Sequence, residues 1–430
     1  MVHSWNRYPQ VKHRGVIDVA ARHEPLPTLD ASMLPHGNGR SYGDVCLNAN
    51  GYLLHTRRLD RFISFNQQTG RLICESGVLL KDILDLVIPR GWFLPVTPGT
   101  RFVTVGGAIA NDVHGKNHHV AGTFGHHVCQ LELLRSSGER IVCSPTVHSD
   151  WFHATIGGLG LTGLIVWAEL QLIPICNPFL ITQSVRFSCL DAFWELNHAA
   201  VSCWPYTVAW IDCASAGRAL GRGIYMVGQH APPQTTLADY RAVNWHFPID
   251  SPISLVNRLT LRVFNFFYYY RPLPHAQFLS HYIPYFFPLD GIKNWNRMYG
   301  RSGFFQYQCV LPTESSRLGI RDLLGCIAAR NEGSFLAVLK TFGDIRSPGM
   351  LSFPRPGTTL ALDFPNKGAS TKRLFTELDA IVRSAGGAIY PAKDARMPSD
   401  LFKSSFPAWE HFSTFVDPLF SSSFWRRVTG

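Results

Sequence analysis

From Pro98 to His119 the chain reads PGTRFVTVGGAIANDVHGKNHH, a glycine pair followed by a loop carrying His114, Lys116, Asn117, His118 and His119. A loop so dense in titratable and amide groups serves a ligand more readily than a bare turn, and its chemistry suits an anion held beside a reaction centre. Phe102, Val103, Thr104 and Val105 form an apolar, largely β-branched run. The run predicts a strand, then a tight turn at Gly106 and Gly107 that brings bare N–H groups against the ligand. A short helix from Ala108 follows, its N-terminal amides favouring negative charge.

Two more glycine loops flank this one. HGNGRSYGD, His36 to Asp44, offers Gly37, Gly39 and Gly43 for close backbone approach, Arg40 as a permanent cation, and the hydroxyls of Ser41 and Tyr42. That is the composition of a phosphate nest. GGLGLTG, Gly157 to Gly163, follows a helical piece beginning near Ser149 and precedes an alternating strand, Ile165 to Ile173. Three loops do not make a single dinucleotide fingerprint, which places one GxGxxG at one strand-to-helix turn with an acidic residue roughly 20 positions on. A simple Rossmann fold is therefore disfavoured.

Stepping outward, the chain has 430 residues, 46% hydrophobic and 16% charged, the make-up of an ordered protein of two domains. The net charge of +10 comes from scattered basic residues with no nucleic-acid motif, so an anionic cofactor, a phospholipid-like substrate or a membrane surface accounts for it better than nucleic acid. The ten cysteines include no CxxC pair and no tight grouping with histidines, so neither a structural zinc site nor a small-domain disulfide framework is indicated, and reduced core thiols are expected. No signal-peptide h-region and no run of about 18 apolar residues occurs, so a cytoplasmic or peripherally membrane-associated protein is expected.

Residues 14 to 175 carry short β-type runs, a helix from about Leu79 to Ile88, and a hairpin joining Leu131–Arg135 to Ile141–Cys143. Beyond Asn177, helices are predicted at Leu190–Ala200, Ser315–Ala329 and Thr371–Ser384. The last places Leu374, Phe375, Leu378, Ile381 and Val382 on one face and closes on Gly386 and Gly387. Strands at Phe335–Thr341 and Thr359–Phe364 pair naturally with them. The segment 247–290 stands apart through FNFFYYY at Phe264–Tyr270 and YIPYFFP at Tyr282–Pro288. It reads either as buried core strand or as a lid presenting aromatic surface to an isoprenoid or a bilayer.

The three glycine loops resemble those of the flavin-binding domain of the vanillyl-alcohol-oxidase (PCMH) type. GRSYGD, PGTRFVTVGGAIANDVHGKNHH, GLTGLI (Gly160–Ile165), NWNRMYG (Asn294–Gly300), FFQYQ (Phe304–Gln308) and YPAKDAR (Tyr390–Arg396) further resemble the decaprenylphosphoryl-β-D-ribose 2-oxidase family, in order along nearly the whole chain. The resemblance implies an α+β protein. Residues 1–176 would form a two-subdomain FAD-binding domain, 177–388 an α+β substrate domain with an antiparallel sheet and the lid region 247–290, and 389–430 a return to the flavin domain.

Carried over position by position, FAD would contact Gly37, Asn38, Gly39, Arg40, Ser41, Tyr42 and Gly43, then Gly99, Thr104, Val105, Gly106, Gly107, His114 and Asn117, with Ile165 near the adenine and Tyr390 also touching the cofactor. Arg40 stands where covalently flavinylated relatives carry a histidine, so the FAD is expected to be dissociable. Lys393 and His114 would be catalytic, taking the hydroxyl proton or stabilising alkoxide while hydride leaves for the flavin. Tyr42, Lys116, Trp210, Gln306, Gln308 and Lys340 would bind substrate, and no metal is implied. Lys393 otherwise reads as half of a surface ion pair with Asp394, and Gln306 and Trp210 as core residues.

The chain also departs from the family. Ala361 stands at the family's active-site cysteine and Thr359 at its asparagine, the stretch Ala20–Pro35 is abbreviated, and the tail SSSFWRRVTG lacks an acidic residue before its final basic pair, leaving the C-terminal closure open. The implied reaction is oxidation of the 2-hydroxyl of a polyprenyl-phosphate-linked pentose, a step of cell-wall arabinan precursor epimerisation completed by a short-chain reductase partner. An aldonolactone or sugar-alcohol oxidase is the alternative within flavoenzymes, though a C-terminal HWGK-like motif is missing. A non-catalytic flavin-binding scaffold is the alternative outside them.

Overall fold

In a computed structural model, residues 2–233, 240 and 245–430 are described. The protein is α+β and is organised around three main sheets. Gly15–Asp18, Tyr52–His55 and Met33–His36 form a small parallel sheet in that order. Phe62–Asn66, Arg71–Glu75, Leu164–Gln171, Val128–Leu134 and Arg140–Cys143 form an antiparallel sheet of five strands. The third, of eight strands, is antiparallel throughout and runs Phe278–His281, Phe179–Phe187, Gly223–His230, Tyr206–Ile211, Ala337–Phe342, Gly357–Pro365, Phe304–Leu311 and Ala388–Ile389.

Strand period fixes what the eight-stranded sheet presents. Gln306 lies opposite Asp363, Gln308 opposite Ala361, Ala361 opposite Val338, and Lys340 opposite Thr359. Successive side chains alternate faces, so these residues share one face while Tyr307, Cys309, Leu339, Leu360 and Leu362 share the other. The second face is buried in a core completed by the helices Thr313–Ala329 and Ala369–Ser384, through Ile320, Leu323, Leu324, Leu374, Phe375 and Leu378. Each such apolar side chain contributes about 1.5–3 kcal/mol by leaving water. Burying one face of the sheet in this way leaves the polar face aimed at a cavity.

The helices expected at 79–88, 190–200, 315–329 and 371–384 stand at Leu80–Val87, Leu190–Ala200, Thr313–Ala329 and Ala369–Ser384, and the 131–143 hairpin is present. Ile381 sits at the margin of the buried stripe rather than within it.

Two local expectations are overturned. Phe102–Val105 is not a strand: Thr104 bridges only Leu79, and its hydroxyl accepts the Gly107 N–H, capping a helix that already begins at Val105. FNFFYYY is not a core strand either. It ends the helix Arg258–Tyr270, opened by a capping box in which Asn257 accepts from Leu259 and Thr260 while the Thr260 hydroxyl accepts the Asn257 N–H. The pattern NRLT was the available signal. The companion motif divides differently, since Tyr282, Tyr285, Phe286 and Phe287 are buried against the core of the five-stranded sheet.

All ten cysteines are free thiols: Cys74, Cys143, Cys213 and Cys309 are buried, Cys176 and Cys203 exposed, and the others half-buried. Among the described residues no group of His, Cys, Asp and Glu is placed to hold a metal, and no helix is long and apolar enough to cross a membrane.

Candidate active site

A cavity of about 720 Å³ lies between the glycine loops and the polar face of the eight-stranded sheet. Its size is that of a cofactor and substrate site. On the loop side Gly37, Asn38, Gly39, Arg40, Ser41, Tyr42, Gly99, Thr104, Gly106, Gly107, Gly160, Gly163 and Ile165 line it. On the sheet side stand Trp210, Gln306, Gln308, Lys340, Thr359, Ala361 and Asp363, and His114, Lys116, Tyr390 and Lys393 close it.

The loops fit together through missing side chains. A Cβ on Gly37 would lie 2.4 Å from the Thr104 hydroxyl, which seats the first loop on the cap of the 105–110 helix. Gly39 takes φ +59°, a left-handed conformation that glycine adopts without strain. The amides of Gly37, Asn38, Gly39, Arg40 and Ser41 have no acceptor among the described residues, and this row of donors lines the cavity.

The glycine pair works otherwise than its composition suggests. The Val105 and Gly106 amides donate to the Val78 and Ser76 carbonyls, and that of Gly107 to Thr104. The amides left free for an anion are therefore those of the first loop, while Gly106 and Gly107 allow close packing. Three expected cofactor contacts, unlike Gly106 and Gly107, lie off the cavity. Gly43 faces the 393–396 loop, where a Cβ would meet the Asp394 carbonyl at 1.7 Å; Val105 is core; and Asn117 donates to the Pro95 carbonyl. The guanidinium of Arg40 stacks 4.1 Å over the Trp5 ring.

Across the cavity, three half-buried lysines converge. Lys116 reaches the Tyr285 carbonyl and lies 4.3 Å over that ring, and burial pulls its pKa down to about 7. Lys340 donates to the Gly115 carbonyl at 2.8 Å, and burial, reinforced by Lys116 and Lys393, also lowers it to about 7. Lys393 sits 3.8 Å over the Tyr42 ring, with its pKa lowered by burial and partly restored by Asp363. It makes no ion pair with Asp394, whose carboxylate instead binds Arg427 and the amides of Arg396 and Met397. Arg427 also pairs with Asp44 at 2.7 Å, so the helix Ser423–Thr429 ties the first loop to the lysine loop and closes the C-terminal end.

His114 is half-buried in the cavity wall, and loss of solvent beside Lys340 and Lys393 holds its pKa well below the ordinary value, so the ring is neutral. Its Nε2 lies 3.1 Å from the Gln308 amide nitrogen and accepts from it, leaving Nδ1 to carry the proton without a partner. Gln308 also reaches the Thr359 hydroxyl at 3.3 Å. Trp210 donates to the Phe335 carbonyl and packs 4.6 Å from Tyr268, itself in the cavity wall.

Asp363 was not foreseen as a site residue. Its Oδ1 accepts from Gln306 at 2.5 Å, its Oδ2 is buried without a partner, and burial raises its pKa. The signal was an aspartate inside the apolar strand TTLALDF. Buried acid, half-buried amine and neutral imidazole around one space are equipped to move a proton from a bound alcohol.

A flavin nucleotide fits these residues: the unpartnered amides suit its pyrophosphate, and the orphaned His114 Nδ1–H and the lysines suit an electron-rich ring edge. Residues 16–144 match the family described as FAD binding domain and, with the full-length relative that follows, this makes the protein an FAD-dependent oxidoreductase. Over 411 residues it is 34% identical to decaprenylphosphoryl-β-D-ribose oxidase of Mycolicibacterium smegmatis, covering 92% of this chain and 89% of that protein. The chain belongs to the decaprenylphosphoryl-β-D-ribose oxidase family. It is also 34% identical over 378 residues to an uncharacterized protein of Streptomyces coelicolor, covering 82% of this chain and all (100%) of that one. L-gulonolactone oxidase of Mus musculus shares 29% over 140 residues, 32% of this chain and 31% of the enzyme.

Proposed function

We propose that the protein oxidises the 2-hydroxyl of a pentose carried on a polyprenyl phosphate. The observation that carries this reading is the meeting of Lys393, Asp363 and His114 with two further lysines on the polar face of the substrate-side sheet, opposite a row of free amides. FAD, when bound, supplies the acceptor for the hydride. Lys393 takes the hydroxyl proton at Nζ, for which an amine lowered toward neutrality is suited. Asp363 holds charge beside it, and Gln306 fixes the Asp363 carboxyl group. The His114 Nδ1–H and the Gln308 carbonyl orient hydroxyl groups, Trp210 gives the sugar a flat wall, and Lys116 and Lys340 neutralise developing negative charge. The division at 1–176, 177–388 and 389–430 and dissociable binding of FAD belong to the same reading. So does a keto product consumed by a short-chain reductase, which completes an epimerisation.

The test is anaerobic bleaching of the yellow holoenzyme by a polyprenyl-phosphoryl pentose against free aldonolactones. Bleaching by the lipid-linked sugar is expected. Bleaching by lactone alone overturns the reading in favour of a soluble-substrate oxidase.

A further inference from the structure

The helix Arg258–Tyr270 has its apolar side outward. Leu259, Val263, Phe266, Phe267 and Tyr270 recur at helical spacing on one stripe and are 71%, 47%, 53%, 69% and 54% exposed. Such a stripe ordinarily faces the core. The inner face buries Leu261 and Tyr269 and adds polar contacts: Asn265 donates to one Asp212 carboxylate oxygen, the other accepts from Nε and Nη2 of Arg222, and Arg186 donates to the Tyr269 and Arg271 carbonyls. The helix is thus firmly seated with an aromatic ridge to the outside, where Phe266 and Tyr270 pack 4.8 Å apart.

The same lobe forms the cavity wall. Tyr268 covers Trp210, and Ile292 and Lys293 line the cavity next to the exposed strand residue Trp245, with which Ile292 pairs. Charge selects the occupant. The helix carries Arg258 and Arg262, is followed by Arg271, and has no acidic residue. The lobe's two carboxylates are neutralised, Asp250 by Arg7 and Arg297 and Asp290 by Arg101. A second copy laid antiparallel on this ridge would set Arg258 beside the copy's Arg271, like against like.

We infer that this ridge lies in the headgroup region of an anionic bilayer, with its aromatic side chains in the acyl boundary and its arginines on lipid phosphates. The cavity wall then stands at the membrane surface, which rests on the proposed lipid-linked substrate and explains how a polyprenyl tail stays in the membrane while its sugar reaches Lys393.

The test is flotation of the FAD-loaded protein with vesicles of phosphatidylcholine alone or with phosphatidylglycerol added, read without substrate so that it succeeds or fails independently of the reaction. Wild type is expected to float with the anionic vesicles. F266S/F267S, at two positions that do not line the cavity, should lower that binding at least tenfold while retaining FAD and its melting temperature. R258E should weaken binding to anionic vesicles more than to neutral ones, and serves alone if the double variant does not fold. Wild type remaining unbound with both vesicles, or F266S/F267S binding as well as wild type, overturns the inference. So does a dimer that F266S/F267S dissolves without any vesicle binding, which would assign the ridge to a second copy.

Discussion

On the cavity wall built from the glycine loops, the groups offered to a ligand are main-chain amides between Gly37 and Ser41, held in place by residues that lack a side chain. On the opposite wall they are side chains, Lys340, Asp363, Gln306 and Gln308, supplied by three adjacent strands in register. The first wall is shaped to hold and the second to react. A substitution on the loop side should therefore change occupancy by the cofactor, and one on the sheet side should change rates with the cofactor in place.

The strongest challenge to that division is Lys393→Ala. Flavin reduction in single turnover should fall by about 10²–10⁴-fold, the usual worth of a positioned acid or base, while the protein stays yellow. Loss of FAD instead would merge the two walls. Gly37→Ala is the mirror experiment. Its Cβ, 2.4 Å from the Thr104 hydroxyl, must push the loop away, so FAD affinity measured by titration should drop about tenfold or more, roughly 1.4 kcal/mol. The fraction still loaded should reduce normally.

Asp363→Asn sharpens the picture within the reactive wall. Asp363 raises the Lys393 pKa, so the deprotonated amine should appear at lower pH once the charge is gone. The alkaline-rising limb of the reduction rate should move acidward by about one unit, and an unmoved limb would detach Asp363 from Lys393. The smallest effect on turnover is expected for Ala361→Cys. It puts a thiol in the cavity wall and should make the enzyme sensitive to a thiol-directed electrophile that leaves wild-type turnover untouched, with activity before treatment nearly unchanged.

The two walls also differed in how far they could be read from sequence. The loops announce themselves locally, because GRSYGD and HGKNHH are contiguous and their glycines mark where the backbone must approach something. Even so, the amides' own use escaped: that Thr104 caps Gly107 and that Val78 and Ser76 take the two preceding N–H groups depends on a turn some 30 residues earlier. The sheet side is dispersed over Gln306 to Lys393, and only register shows that Gln306 faces Asp363 while Tyr307 faces the core. The alternation in FFQYQC and TTLALD carried that information, yet reading it required knowing which strands are neighbours. The ridge at Leu259–Tyr270 failed for the opposite reason: aromatic residues favour strands, and only the cap at Asn257 marked a helix.

Arg427 binds Asp44 and Asp394, and the first of these pairs spans 383 positions of sequence. During synthesis, then, the first loop leaves the ribosome long before the residue that anchors it. The five-stranded sheet can form early from local hairpins, whereas the loop and the lysine it must meet are fixed only after the helix Ser423–Thr429 has emerged and docked. Flavin uptake is accordingly expected late in the life of each molecule, and the appearance of yellow colour during translation should coincide with the completion of folding.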